Sequence, residues 1–239
     1  MVEKEKIEKA KELIESAEKP VAFTGAGISV ASGIPPFRGP DGLWSKYDPV
    51  VFDIDFFMSN PEESWRFIKE IFYRFLTDVK PNPAHYAIAK LNCPVITQNI
   101  DNLHQEAGSR EVIEFHGTAK TLTCMKCGTK YPFDKSVFEN IPPRCKHCGG
   151  ILKPDFVFFK EPIPQDALTR SFQLAETCDL MIVVGTTGEI MPASQIPYVA
   201  KRHGATIIEI NPKPSNYTGE ITDLFLQDRA EEVLPLIVS

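Results

Sequence analysis

Three kinds of apolar run divide the chain. Ile7, Ala10, Leu13, Ile14 and Ala17 recur at helical spacing with Glu and Lys between them, and Pro20 closes the segment. This pattern predicts an amphipathic helix with a solvated charged face. Short unbroken runs follow at Val21 to Thr24, Val95 to Thr97, Val112 to Phe115, Leu180 to Val184, Ala205 to Ile210 and Leu224 to Leu226. They read as strands buried on both faces, which is the habit of parallel sheets. Between positions 43 and 80 the apolar residues are mostly aromatic. There Trp65, Ile68, Phe72 and Phe75 return to helical spacing behind Asn60-Pro61-Glu62-Glu63, a sequence suited to an N-cap and first turn. Pro81-Asn82-Pro83-Ala84-His85 opens another helix, with His85 expected as a structural hydrogen-bonding group, and Ala230 to Ile237 forms the last helix. Strands separated by helices predict an α/β fold with a doubly wound parallel sheet.

Polar residues at the strand ends sharpen this picture. Val95 to Thr97 runs into Gln98, Asn99 and Asp101, passes a helical turn near Leu103 to Ala107, stops at Gly108, and resumes as a strand that ends on His116. Two parallel strands joined by such a crossover bring their carboxyl ends to one edge, where open α/β sheets bind ligands. Gly185-Thr186-Thr187 and Asn211 follow two further strands and belong to the same edge.

Gly25-Ala26-Gly27-Ile28-Ser29 lies between the first strand and a helix start. That arrangement suits a phosphate, because backbone N–H groups and the helix dipole face the anion. A purely structural glycine turn is the competing reading. Val30 stands where the dinucleotide fingerprint of dehydrogenases has its third glycine, and no acidic residue ends a second strand about twenty residues later, so that fingerprint fails. The following loop, Ile34 to Gly42, holds three prolines and two glycines and carries Phe37 and Arg38. A guanidinium there suits a phosphate or a carboxylate.

The 239 residues are enough for one large core with a small satellite module. A net charge of −6 argues against general nucleic-acid binding. No apolar run reaches the ~20 residues of a membrane helix, and the charged N-terminal segment is unlike a secretory signal, so a cytoplasmic location is expected. Four of the six cysteines form two pairs, Cys124/Cys127 and Cys145/Cys148, separated by seventeen residues. This spacing predicts a structural zinc ribbon, whose four thiolates leave no open position for substrate.

Taken in order, GAGISVASGIPPFR (Gly25 to Arg38), TQNID (Thr97 to Asp101), FHG (Phe115 to Gly117), the paired CxxC motifs, GTT (Gly185 to Thr187) and IN (Ile210 to Asn211) resemble the sirtuin family. The resemblance spans roughly Glu12 to Pro235. It implies a Rossmann-like NAD-binding domain (1–37, 81–118 and 156–239), a cofactor loop with a helical insertion (38–80) and a zinc-binding module (119–155). It further implies NAD-dependent removal of acetyl or other neutral acyl groups from protein lysines, with NAD consumed as co-substrate and nicotinamide and O-acetyl-ADP-ribose released.

Carried over residue by residue, the resemblance assigns Gly25, Ala26, Gly27, Ser29, Phe37 and Arg38 to the first cofactor motif. Gln98 and Asn99 fall to the nicotinamide ribose, Ile100 and Asp101 to the carboxamide, and His116 to the catalytic base, with Asn99 and Asp101 completing the catalytic set. Gly185, Thr186, Thr187 and Asn211 line the adenosine half, and Asp228, Arg229 and Ala230 approach adenine, with Asp228 where the family usually has glycine. Val157, Phe158, Phe159, Lys160 and Glu161 match the substrate-contacting segment. Lys160 replaces a family glycine there, which is expected to weaken or redirect peptide binding. Family members that prefer acidic acyl groups carry a Tyr-x-x-Arg pair, and here Tyr73 is followed at that spacing by Leu76. An ADP-ribosyltransferase using the same NAD site, and a non-catalytic NAD- or ADP-ribose-binding module, are the alternatives the sequence leaves open.

Overall fold

The computed structural model describes residues 2–37, 42–76 and 78–238. A long first helix, α1 (Lys4–Ser16), leads to β1 (Pro20–Thr24) and a 3₁₀ turn over Ala26–Ser32. The helical module contains α2 (Ile54–Ser59), α3 (Pro61–Phe67), a π-helical turn (Ile68–Tyr73) and α4 (Arg74–Leu76). Next come α5 (Pro83–Leu91), β2 (Val95–Thr97), α6 (Leu103–Glu106) and β3 (Val112–Glu114). The chain then forms β4 (Gly117–Cys124), β5 (Lys130–Pro132) and β6 (Leu152–Phe156) before α7 (Gln165–Thr177) and β7 (Leu180–Val184). It closes with α8 (Gln195–Arg202), β8 (Thr206–Ile210), β9 (Leu224–Leu226) and α9 (Ala230–Ile237).

Six strands pair in parallel in the order β3-β2-β1-β7-β8-β9. Successive side chains on a strand point to opposite faces, so each strand feeds two cores. Ala22, Val95, Ile182, Val184 and Ile208 pack under α1, α5 and α9, while Val21, Phe23, Ile96, Met181, Val183 and Ile207 pack under α7 and α8. Burial on both faces explains why the strands read as unbroken apolar runs. The strand order reverses between β1 and β7, and that switch point opens the crevice into which the strand ends deliver their polar residues.

β5-β4-β6 form a separate antiparallel sheet. Its inner face and the aromatic helices share one core, in which Trp65, Ile68, Phe72 and Tyr73 meet Leu122, Leu152, Phe156 and Phe158. Trp65 Nε1 donates to the Leu152 carbonyl at 2.8 Å, which ties the indole to the ribbon. The π turn inserts an extra residue into the helix and rotates the residues C-terminal to it. Tyr73 consequently faces the ribbon: its hydroxyl donates to the Ala119 carbonyl at 2.8 Å and its ring stacks on Phe133 at 4.0 Å. Spacing along a regular helix would put Tyr73 and Leu76 on a common face. The two nevertheless differ in what they touch, and of the pair only Leu76 lines the cavity between the helical module and the sheet edge.

Candidate active site

Parallel register brings the expected site residues to one edge. Thr24 is level with Thr97 and with Val184, Thr97 with Glu114, and Val184 with Ile210. The next residues out of each strand are therefore Gly25, Gln98, Phe115 with His116, Gly185 and Asn211, all at the carboxyl edge. Gly25 and Gly27 sit where the turn after β1 touches the turn after β7. A Cβ on Gly27 would lie 2.6 Å from Gly185 Cα, so a side chain there would force the two turns apart. The Gly25 and Gly27 amides donate to the carbonyls of Val184 (2.9 Å) and Gly185 (2.8 Å). These two N–H groups lock the turns together and are not presented to an anion. The helix that follows is a 3₁₀ turn rather than an α-helix. Both glycines thus permit the close approach of the two turns.

A buried polar cluster occupies the floor of the crevice. Asp101, 4% exposed, accepts from Ser29 Oγ at 2.7 Å and from the Leu103 amide at 3.0 Å. Burial raises its carboxyl above the usual range, and the two donors partly offset that rise. Asn99 Nδ2 donates to Ser29 Oγ at 3.1 Å and to the Gly25 carbonyl at 3.2 Å. His85 approaches Ser29 Oγ through Nε2 at 3.4 Å. Its Nδ1 accepts from the Asn82 amide at 3.3 Å and closes the capping box of α5. The His85 and His104 rings meet edge to face at 5.0 Å. His104 Nε2 lies 3.0 Å from Thr24 Oγ1, which bonds Thr97 Oγ1 at 2.8 Å; Thr97 Oγ1 in turn accepts from the Asn99 amide at 3.1 Å.

Above this floor is a cavity lined by Ala26, Ser29, Phe37, Asn99, Ile100 and Asp101 from the sheet side, and by Ile71, Phe72 and Leu76 from the helical module. The Phe37 ring packs edge-on to Phe72 at 6.1 Å. Asp101 is the only charged side chain in the wall among the described residues. Arg38 lies outside the described residues.

His116 follows β3 at the same sheet edge. Its Nδ1 is 3.1 Å from the Gln98 carbonyl oxygen. A carbonyl can only accept, so Nδ1 carries the proton and Nε2 keeps its lone pair. Desolvation lowers the pKa of the ring, which keeps it neutral near pH 7. Gln98 Nε2 donates to Thr186 Oγ1 at 3.1 Å, and Asn211 Nδ2 donates to the Thr186 carbonyl at 3.1 Å, so the β2, β7 and β8 ends are cross-linked. Asp228 and Arg229 follow β9, where the Asp228 side chain accepts from the Arg229 amide at 2.9 Å just before α9 starts at Ala230.

The substrate-segment candidates descend from β6. Val157 N donates to the His116 carbonyl at 2.8 Å, which places the segment beside the base. Phe159 is paired on both sides with Phe52 and Ile54 of the helical module. Lys160 adopts φ +69, a conformation natural to glycine, and its Nζ reaches Asp53 and Asp55, each at 2.8 Å. These carboxylates raise the Lys160 pKa. Lys153 escaped the sequence reading. Its buried ammonium pairs with Glu161 at 2.9 Å and lies 4.4 Å from the centre of the Phe158 ring, bracing the segment from inside. Its position inside a ribbon strand gave no signal of this.

Cys124, Cys127, Cys145 and Cys148 bring their sulfurs within 4.8 Å of one another, and two of the separations are 3.5 and 3.6 Å. Zn–S bonds of about 2.3 Å in a tetrahedron require sulfurs about 3.8 Å apart, so the four thiols fit a structural zinc. Gly128 and Gly149, both at φ +72, turn the chain behind each pair. The cluster belongs to the ribbon and contributes nothing to the cavity wall.

A doubly wound sheet with a buried polar floor at its switch point, joined to a four-thiol ribbon, defines a dinucleotide-binding α/β protein with a structural zinc module. Residues 25–192 match the Sir2 family, and the chain belongs to it. It is 46% identical over 242 residues to NAD-dependent protein deacetylase 1 of Pyrobaculum aerophilum, covering 98% of this chain and 94% of that protein. It is also 46% identical over 237 residues to the NAD-dependent protein deacylase of Pyrococcus abyssi, covering 95% and 94%. A solved Sir2–p53 peptide–NAD+ complex aligns with a TM-score of 0.88 at 39% identity over 95% of each chain. A Sir2 variant with deacetylated p53 peptide and 3′-O-acetyl ADP-ribose aligns with a TM-score of 0.92 at 39% identity, covering 97% and 96%.

Burial depresses the pKa of His85 to about 4 and of His104 to about 3, both from 6.5. The unfolded chain therefore binds protons that the native site refuses. The stability due to these neutral rings is complete above about pH 6.5 and is lost as pH falls below it, with a slope of up to about 1.4 kcal/mol per pH unit for each ring. Urea midpoints should fall between about pH 7 and pH 5, and His104→Leu should flatten that fall. A native midpoint independent of pH over this window would contradict neutral burial.

Proposed function

We infer that the chain removes acetyl or other neutral acyl groups from protein lysines and consumes NAD in doing so. The observation that carries this reading is that Asn99 and Asp101, after β2, and neutral His116, after β3, follow neighbouring strands at one edge of the sheet, with His116 bonded to Gln98 of the β2 turn. Bound NAD supplies a ribose carbon that becomes electrophilic as nicotinamide leaves. In the cavity, Asp101 and the Ile100 backbone would hold the amide of the departing ring, and Asn99 would line the site of the adjoining ribose. His116 Nε2 is positioned to take a proton from a ribose hydroxyl, because Gln98 fixes the tautomer and burial keeps the ring neutral. Gly185, Thr186, Thr187 and Asn211 form the wall for the adenosine half, with Asp228 to Ala230 beyond them.

Residues 157–161 run from the His116 carbonyl toward the helical module and suit an extended peptide carrying the acyl-lysine. The module's contribution to the cavity wall is apolar, through Ile71, Phe72 and Leu76. That lining favours an acyl group without charge. We take the substrates to be acylated proteins, and the net charge of −6 gives no general attraction for nucleic acid. We place the protein in the cytoplasm. None of the six cysteines is in a disulfide, and no helix among the described residues is long and apolar enough to cross a membrane.

Incubation with NAD and an acetylated peptide, followed by mass spectrometry, tests the reaction. The expected products are deacetylated peptide, nicotinamide and O-acetyl-ADP-ribose, with turnover reduced by about 10²- to 10⁴-fold in His116→Ala. ADP-ribose attached to protein would indicate a transferase instead, and unchanged NAD a binding module. Lys160→Gly tests the peptide segment. It frees a position held at positive φ and removes the arm to Asp53 and Asp55, so the KM for acetylated peptide should drop several-fold while the KM for NAD stays constant. Equal peptide KM values would show that Lys160 does not touch recognition.

A further inference from the structure

One fully buried carboxylate has no part in the roles assigned above. Glu209 lies on β8, one residue before its end, at 0% exposure. Its neighbours Ile207, Ile208 and Ile210 are equally buried, so an apolar residue would have served the strand. Four neutral donors converge on it instead. Asn211 Nδ2 (3.0 Å) and Ser215 Oγ (2.5 Å) donate to Oε1, while Thr218 Oγ1 (2.8 Å) and Thr222 Oγ1 (2.7 Å) donate to Oε2. A carboxylate accepts at about four positions, and these four donors occupy them. A buried acid is costly unless so satisfied, which makes this geometry demanding.

All four donors belong to the loop between β8 and β9, and the other side of that loop holds the turn after β7. Asn216 donates from its amide to the Thr187 carbonyl at 3.0 Å and from Nδ2 to the Gly188 carbonyl at 3.3 Å. Asn211 Nδ2 is shared between Glu209 and the Thr186 carbonyl. The Tyr217 ring fills the space beside Gly188, where a Cβ would come within 2.8 Å of it. Glu209 thus fixes the loop, and the loop fixes both Asn211 and residues 186–188.

We propose that Glu209 is a positioning residue for the adenosine half of the dinucleotide, acting through Asn211 and the 186–188 turn without touching the ligand. The proposal rests on the assignment of Gly185, Thr186, Thr187 and Asn211 to that half. A role in folding alone would lower stability and weaken every ligand alike. A positioning role separates the dinucleotide from the peptide.

The test is calorimetric titration of the full chain with ADP-ribose and, separately, with acetylated peptide, together with steady-state kinetics. Glu209→Gln keeps the shape but turns an amide donor toward two hydroxyl donors. It should weaken ADP-ribose binding and raise the KM for NAD by about tenfold, leaving peptide affinity and kcat within about twofold. Ser215→Ala and Thr222→Val each remove one donor and keep the carboxylate. They should give smaller shifts of the same kind, and they decide the matter if Glu209→Gln does not fold. Unchanged ADP-ribose affinity in folded Glu209→Gln, or in both loop variants, overturns the proposal. Equal weakening of ADP-ribose and peptide overturns it as well. Native protein that binds no ADP-ribose would overturn the cofactor assignment itself, and is distinguishable because that result precedes any substitution.

Discussion

Burying the Asp101 carboxylate dictates much of what surrounds the crevice. A carboxyl group out of water needs donors, and here they come from Ser29 in the turn after β1 and from the Leu103 amide in its own turn. Ser29 can serve only if the 3₁₀ turn lies close against β2 and β7, and that approach requires Gly27 to meet Gly185 without side chains. Asn99 and His85 converge on the same hydroxyl, so four segments of chain are fixed by one polar cluster. The cavity wall is a consequence: Asp101 offers its acceptor positions beside an otherwise mostly apolar lining.

The far side of the crevice repeats this logic with other residues. Glu209 gathers a loop as Asp101 gathers the turns, and each acid is surrounded by neutral donors rather than paired with a cation. Neutral donors give direction without the mobility of a lysine or arginine arm. Between the two clusters, Gln98 joins them, since its side chain meets Thr186 and its carbonyl orients His116. The substrate segment is held differently, by the Lys153–Glu161 pair inside and the Lys160 pairs outside. Lys160 and Asp55 are exposed, so that outer pair is open to screening.

The sheet was legible in the sequence because strands buried on both faces appear as short apolar runs, and the site was legible because chemically capable residues directly follow them. Gln98, Asn99, Asp101 and His116 needed only parallel pairing to be brought together. The four cysteines were legible from spacing alone. Glu209 was hidden, because within Ile-Ile-Glu-Ile-Asn it looks like the solvent-facing member of an alternating strand. The bonds of Lys160 were hidden because Asp55 lies 105 positions away. The π turn was hidden as well. Trp65, Ile68 and Phe72 keep helical spacing, and nothing in that spacing marks the extra residue of the turn or tells that Tyr73 bonds the ribbon while Leu76 lines the cavity. The glycine turn was recognised, but its amides turn to neighbouring carbonyls, a choice set by β7 and invisible in local sequence.

We propose a division of labour at this sheet edge, with Asp101 acting on the departing ring and His116 acting afterwards on the sugar. Exchange of labelled nicotinamide into NAD, measured in the presence of acetylated peptide, isolates the first of these steps. His116→Ala should retain exchange while releasing little deacetylated peptide, and Asp101→Asn should lose exchange. Equal loss of exchange in the two variants would contradict the account.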